Sequence, residues 1–296
     1  MLIRPVAHDH LVAFDRYAAV QHLAETSFLK APAIPEDELL QYRRIKSRLA
    51  VLSEQGLDVD AMQSEQFVGA ALTSRQRNKI VVSRCEYDVE ISDALLVKFK
   101  KNLRPDFKWL VTNLTAKDPM CESLPLGLND FCNYSPFHLF AGDTRTIAFH
   151  RTYSTTRSGV LLCMNPRTSP AARHSAINAV STHPAVQHLP LERSPAGFSR
   201  YLTALSKSMF CICPRGNGID THRFWESLYM GCIPVIKAEH LLACHADLPC
   251  LVLDDWTDLA NVDLSGEWHR IRAQTYNFLP LTVSYWVEKV RQLAFG

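Results

Sequence analysis

The stretch that decides the fold is "FCICPRGNGIDTHRFWESLYMGCIPVIK", Phe210 to Lys237. It runs from a short apolar segment, through a loop with two glycines, into a charged helical segment and out to a second apolar segment. "MFCIC" reads as a strand, and Pro214, which has no N–H to give a ladder, ends it. Gly216 and Gly218 are expected to carry the backbone through positive φ and to leave space above the loop. Asp220 or Thr221 can cap the following helix, whose first free N–H groups point back toward that space. With Arg215 and Asn217 in the same loop, such a helix start suits a phosphate or diphosphate. Gly231 is placed to end the helix just past its C-cap, and "IPVI" returns as a buried strand.

On that helix His222, Glu226 and Tyr229 share one face, while Phe224 and Leu228 share another that belongs to a core. A carboxylate at Glu226, about one turn in, can accept two hydrogen bonds from the vicinal hydroxyls of a ribose. The plainer alternative makes Arg223 and Glu226 an (i, i+3) surface pair and the glycines a tight turn. The spacing excludes two common phosphate motifs. Thr221 stands where a dinucleotide fingerprint needs its third glycine, and no GK[ST] follows as in a P-loop.

Outward from this unit, short apolar runs alternate with helical segments. After it come strands at "IPVIK" and "CLVLDD" and a last helix with Val283, Trp286, Val287 and Val290 on one face. Before it, "TIAFH" and "GVLLCMN" read as strands, "SPAARHSAINAVST" and "FSRYLTALSKS" as helices. An earlier series has strands at "QFVGAAL", "NKIVVSR" and "FKWLVTNL" and a helix at "ISDALLVKFKKNL". Residues 11–66 read as helical, clearest in "PEDELLQYRRIKSRLAVLSEQG", where Pro35 opens, Leu39, Tyr42, Ile45 and Leu49 form a stripe, and Gly56 closes. The fold class is α/β: two doubly wound halves with extra N-terminal helices, divided within residues 137–146 into domains 1–142 and 143–296.

The chain has 296 residues, 47% hydrophobic and 21% charged, enough for two domains of ordinary size or one large one. Its 32 basic and 30 acidic residues leave a net charge of +2, which excludes a global field for nucleic acid, so anion binding must be local. Nine cysteines without a CxxC pair suit buried thiols in a reducing, cytoplasmic setting. His240, Cys244, His245 and Cys250 match no closed zinc spacing, so no metal is expected there. No window is long and apolar enough to span a bilayer; peripheral membrane association stays open.

"CPRGNGIDTHRFWESLYMGCIPVIK" (213–237) resembles the C-terminal signature of exostosin-like glycosyltransferases, with a "CPRG" loop, a "DTHRxWExL" helix and "GCIPVI". A weaker likeness lies in "WLVTNLTAKDPMCESLPLGLND" (109–130), and together they cover about residues 80–260. The resemblance implies a GT-B-like architecture, two Rossmann-like domains facing a cleft, with the last helix crossing back to the first domain. It implies inverting transfer from a nucleotide-diphosphate sugar to a hydroxyl of a glycan-type acceptor, without a metal or other cofactor, because helix dipole and cations offset the leaving charge. By matched position, Arg215 and the loop Gly216–Asn217–Gly218 face the diphosphate, Arg223 supports it and Glu226 binds the ribose. A general base is expected from the first half. Asp88 after "KIVVSR" is the first candidate and Asp130 after "PLGLN" the second, with Asn113 at a strand end placed to contact the sugar. A non-catalytic scaffold that keeps the nucleotide loop is the alternative. His150, Arg151 and Arg173 can reach the cleft from the linker and the "SPAARHSAINAV" helix, but read first as solvated basic residues.

Overall fold

A computed structural model of the chain describes residues 16–24, 26–27, 34–53, 59–73, 79–84, 90–129, 140–151 and 156–295. Its frame is α/β, with two parallel sheets. The first takes β2 (Val59–Gln63), β3 (Ile80–Arg84), β4 (Lys108–Val111) and β5 (Cys121–Ser123) in that spatial order. The two central strands are covered on both faces, which is why Ile80–Val82 and Trp109–Val111 are continuous apolar runs instead of alternating. Ile80, Val82 and Leu110 face the larger core, while Val81, Trp109 and Val111 join Phe67, Phe99 and Phe107 on the other side. Trp109 meets Phe67 with ring centroids 4.6 Å apart and donates its Nε1–H to Ser83 Oγ at 2.7 Å, so the buried indole is satisfied.

The second sheet holds β6 (Val160–Leu162), β7 (Val186–His188), β8 (Phe210–Ile212), β9 (Ile233–Lys237) and β10 (Leu251–Leu253), in the order β10-β9-β8-β6-β7. The chain leaves β6 to one side for β7 and then returns to its other side for β8. The order therefore reverses between β6 and β8, and the crevice outside their carboxyl ends is where open α/β sheets bind ligands. Cys163 and Cys213 are the first residues beyond those two ends.

The termini join the two sheets. Helix α1 (Tyr42–Ser53) packs against the last helix, α9 (Val283–Phe295), which also reaches β3. Lys79 Nζ donates to Ala294 O at 3.1 Å, and Lys289 pairs with Glu122 on β5. Glu38, almost fully buried, accepts from Arg48 Nη1 at 2.8 Å and from Ser284 N at 2.9 Å. Two-residue β1 (Thr26–Ser27) pairs antiparallel with β11 (Thr275–Tyr276).

Three expected elements differ. "QFVGAAL" lies in helix α2 (Ser64–Thr73), because Phe67 and Ala71 bury at (i, i+4) while Glu65 and Gln66 stay in water; the strand is the preceding "VDAMQ". "TIAFH" belongs to helix α4 (Thr144–His150), started by Asp143, whose carboxylate accepts from the N–H groups of Arg145 and Thr146. After Pro35 only a 3-10 turn forms over Glu36–Glu38, since Leu39 bridges to Thr282 and Gln41 to Gly127 before α1 begins. The stripe residues Leu39, Ile45 and Leu49 are buried as expected, whereas Gly56 lies outside the described residues.

Helix α7 (His222–Tyr229) ends as the sequence indicates. Gly231 has φ +68°, its N–H reaches Leu228 O at 3.0 Å, and Cys232 N–H reaches Ser227 O at 2.9 Å, the paired bonds of a Schellman motif. A Cβ there would also stand 2.9 Å from Arg157 Nη2. Gly231→Ala is expected to cost about 1–2 kcal/mol through left-handed strain alone, read as a lower midpoint in urea denaturation.

Candidate functional site

The loop after β8 is held from the side of the first sheet. Asn113, just past β4, adopts φ +55°, a left-handed conformation that asparagine tolerates better than most residues. Its Oδ1 accepts from Asp220 N at 2.9 Å. Asp220 then turns inward: Oδ2 accepts from Leu126 N at 2.7 Å, and Oδ1 accepts from Trp225 Nε1 at 2.8 Å and lies 3.1 Å from His245 Nε2. Next in the chain, His222 Nδ1 meets Gly127 O at 2.7 Å, and Tyr229 OH accepts from Leu40 N and donates to Leu281 O. Asp220 and His222, before and at the start of α7, thus tie the second sheet to the loop after β5, and Tyr229 at its end ties it to Leu40 and Leu281.

This geometry corrects several expectations. Asp220 is not a helix cap but a buried tie. Thr221 is the N-cap residue and makes no side-chain cap bond. Neither Gly216 nor Gly218 has positive φ; at Gly218 glycine is required for close approach, and at Gly216 the fit is tight. A Cβ on Gly218 would stand 2.4 Å from Asn113 Nδ2, and one on Gly216 3.0 Å from Arg173 Nη2. Arg173 is not solvated either. It is 7% exposed, with Nη1 donating to Asn165 O at 2.8 Å and Nε to Arg215 O at 3.2 Å, so it forms the floor of the loop. Arg151 is partly buried as well and donates to Ile34 O at 2.6 Å.

Arg215 crosses toward the first unit, where its Nη2 pairs with Glu90 Oε1 at 2.6 Å. The two line a cavity of about 430 Å³ together with Thr115, Ser175, Lys237 and His240. Lys237 closes β9, and its ammonium is shared between Glu239 at 3.1 Å and Asp255 at 3.5 Å. Burial holds the His240 imidazole below its usual pKa despite Glu239 beside it, with Arg215 and Lys237 acting in the same direction, so the ring is neutral at pH 7. Asn217 contributes its carbonyl to Arg215 at 3.2 Å.

Glu226 and Arg223 lie deeper. Glu226 is 7% exposed and accepts from Tyr201 OH at 2.9 Å, so the surface pair with Arg223 does not form. Burial raises its pKa against the pull of Arg223 and Tyr201. As pH rises through the usual carboxylate range the unfolded chain therefore ionises first, and the stability carried by the protonated form is lost above it. Glu226→Gln should hold or slightly raise stability at neutral pH. Glu226→Ala, which strands the Tyr201 hydroxyl, should cost about 1–3 kcal/mol; urea midpoints of the two variants at about pH 7 decide the matter.

Asp88 and Asp130, the expected bases, lie outside the described residues. Of the residues weighed for zinc, Cys244 and His245 come together with Asp220 and not with His240 and Cys250; their ligand atoms lie within 4.8 Å of one another. Burial pulls the His245 imidazole down, but Cys244 and Asp220 beside it outweigh that and hold its pKa up at about 10; Leu242 N–H lies 3.3 Å from Nδ1, and Nε2 donates to Asp220. Among the described residues no disulfide forms, and six of the seven described cysteines are buried. No helix among them is long and apolar enough to cross a membrane.

Residues 134–260 match the family model of the Exostosin GT47 domain. A stretch of 60 residues is 37% identical to a probable glycosyltransferase of Arabidopsis thaliana, covering 20% of this chain and 13% of the relative's length. The matched region spans the second sheet, the loop at 214–219 and α7, so the resemblance read from residues 213–237 is upheld over the elements that carry the crevice.

Proposed function

We propose that this chain, similar to exostosin-type glycosyltransferases over residues 134–260, moves a sugar from a nucleotide-diphosphate donor to a hydroxyl of a glycan-type acceptor. The observation that carries the reading is the cationic crevice where the strand order of the second sheet reverses, filled by the loop Arg215–Gly218 and the start of α7. A GT-B arrangement accounts for the two parallel sheets, with residues 1–142 on the acceptor side and 143–296 on the donor side. The packing of α9 on α1 and β3 supports it, because the chain returns to the first unit at its end.

In this reading the loop Arg215–Gly218 and Arg223 face the diphosphate. Glu226 lies toward the ribose and Asn113 toward the sugar. Asp88 or Asp130 takes the proton of the attacking hydroxyl, and inversion follows from attack opposite the departing diphosphate. The guanidinium groups and the helix N-terminus offset the leaving charge without a metal. Release of nucleoside diphosphate from a panel of sugar nucleotides, with and without oligosaccharide acceptors and with chelator present, tests the whole scheme. Release of one nucleotide, stimulated by acceptor and indifferent to chelator, is expected. No release from any donor would sink it in favour of a scaffold.

A further inference from the structure

Strand β10 ends the second sheet, and among the described residues its outer edge carries no further strand. Along β9, Ile233 N–H bonds to Met209 O and Val235 O accepts from Cys213 N–H, so the odd-numbered residues of that strand face β8. The even-numbered ones therefore face β10. With Leu251 beside Val235 and Val252 beside Ile236, the backbone groups of Leu251 and Leu253 fill that ladder. Val252 is left with its N–H and C=O turned outward, and neither meets a partner among the described residues. Its side chain is 39% exposed, while Leu251 and Leu253 are buried.

Helix α8 (Leu264–Ala273) comes back beside this edge without closing it. A groove of about 540 Å³ remains, lined by β10 together with Asn261, Val262, Glu267 and Arg270. Open edges are ordinarily covered, or blunted by lysine or proline. Between Leu251 and His269 there is no lysine, arginine or proline, but there are five acids: Asp254, Asp255, Asp258, Asp263 and Glu267. Arg270 Nη2 pairs with Glu267 Oε2 at 2.7 Å, and Lys237 lies 3.5 Å from Asp255. Asp254, Asp258 and Asp263 have no basic partner among the described residues.

That charge selects the occupant. A second copy pairing edge to edge is self-complementary, so it would bring the same acids face to face. Like charges opposed across a ladder destabilise it. A basic strand meets no such penalty.

We infer that the outer edge of β10 and the groove beside α8 take an extended, lysine- or arginine-bearing segment of another protein, added to the five-stranded sheet as its next strand. Backbone bonds to Val252 hold the segment, and the acidic rim chooses its charge. The groove shares no residue with the cavity at Arg215, and β9 separates β10 from β8, so docking here is independent of the donor reading.

The test uses the full chain and two fluorescent octapeptides, one alternating lysine with valine and the other glutamate with valine. Anisotropy reads binding, and amide hydrogen exchange over residues 250–254 reads the edge. The lysine peptide should bind saturably and slow exchange of the Val252 N–H, and the glutamate peptide should do neither. Val252→Pro removes the outward N–H and no ladder bond to β9, and should weaken the lysine peptide about tenfold. Glu267→Lys should weaken it about threefold or more, and serves where the proline variant fails to fold. Equal binding of both peptides, or no binding of either, overturns the proposal. So does lysine-peptide binding that leaves Val252 exchange unchanged or survives both substitutions. Exchange of Val252 that slows with protein concentration alone would give the edge to a second copy instead.

Discussion

Asp220→Ala is expected to lower the unfolding free energy by about 3–5 kcal/mol, the largest single effect outside the deep apolar core. Three donors lose their acceptor at once: the backbone N–H of Leu126, the indole N–H of Trp225 and Nε2–H of His245. The Trp225 and His245 donors are buried and the Leu126 N–H partly so, around a carboxylate whose side chain has no exposed surface. A buried donor left bare costs about 1–3 kcal/mol, and the three penalties overlap in one small region, so their sum is not fully realised. Against an ordinary stability of about 5–15 kcal/mol this is a large fraction. Asp220→Asn keeps one oxygen and should lose less. Because Leu126 belongs to the loop after the first sheet, the variant should also broaden the calorimetric transition as the two units melt less cooperatively. A variant within about 1 kcal/mol of wild type would show that the carboxylate is not the tie described.

The second large effect is expected at Gly218. A methyl group there lands 2.4 Å from Asn113 Nδ2, and Asn113 cannot yield, since its backbone is left-handed and its Oδ1 is held by Asp220 N. Gly218→Ala should therefore cost about 1–3 kcal/mol by overpacking. It should also displace the loop that carries Arg215, so ligand affinity falls further than stability does. Gly69 provides the control. It lies exposed in α2 with nothing within 4 Å of an added Cβ, so Gly69→Ala should stabilise by about 0.5–1 kcal/mol. Equal effects of the two substitutions on denaturation midpoints would contradict the close-approach account of Gly218.

The segment from Phe210 to Lys237 was readable because its signals are local: a strand ended by proline, a helix stopped by glycine at C′, and a strand covered on both faces. What lay between those elements was less so. Arg173 in "SPAARHSAINAV" carries no local mark of burial; the residues that cover it, Asn165 and Arg215, come from two loops of the fold. Glu226 looked like a surface acid because its partner Tyr201 sits on the preceding helix, 25 residues away. Strands β5 and β7 are three residues each and partly polar, so only their neighbours in the sheet define them. "QFVGAAL" and "TIAFH" show the ambiguity of short apolar runs, which the flanking Asp143 cap resolves in the second case alone. The requirement for glycine at 218 was legible, but its reason was not, since the atoms that forbid a side chain come from Asn113, more than 100 residues earlier.

Calorimetric titration of the wild-type chain with UDP, GDP, ADP and CMP, without added metal, tests the central claim most directly. The account predicts saturable one-to-one binding of one nucleoside diphosphate, with CMP, which lacks a diphosphate, bound far more weakly. Absence of binding by every diphosphate, or CMP bound as tightly as the best of them, would contradict a crevice built around a diphosphate.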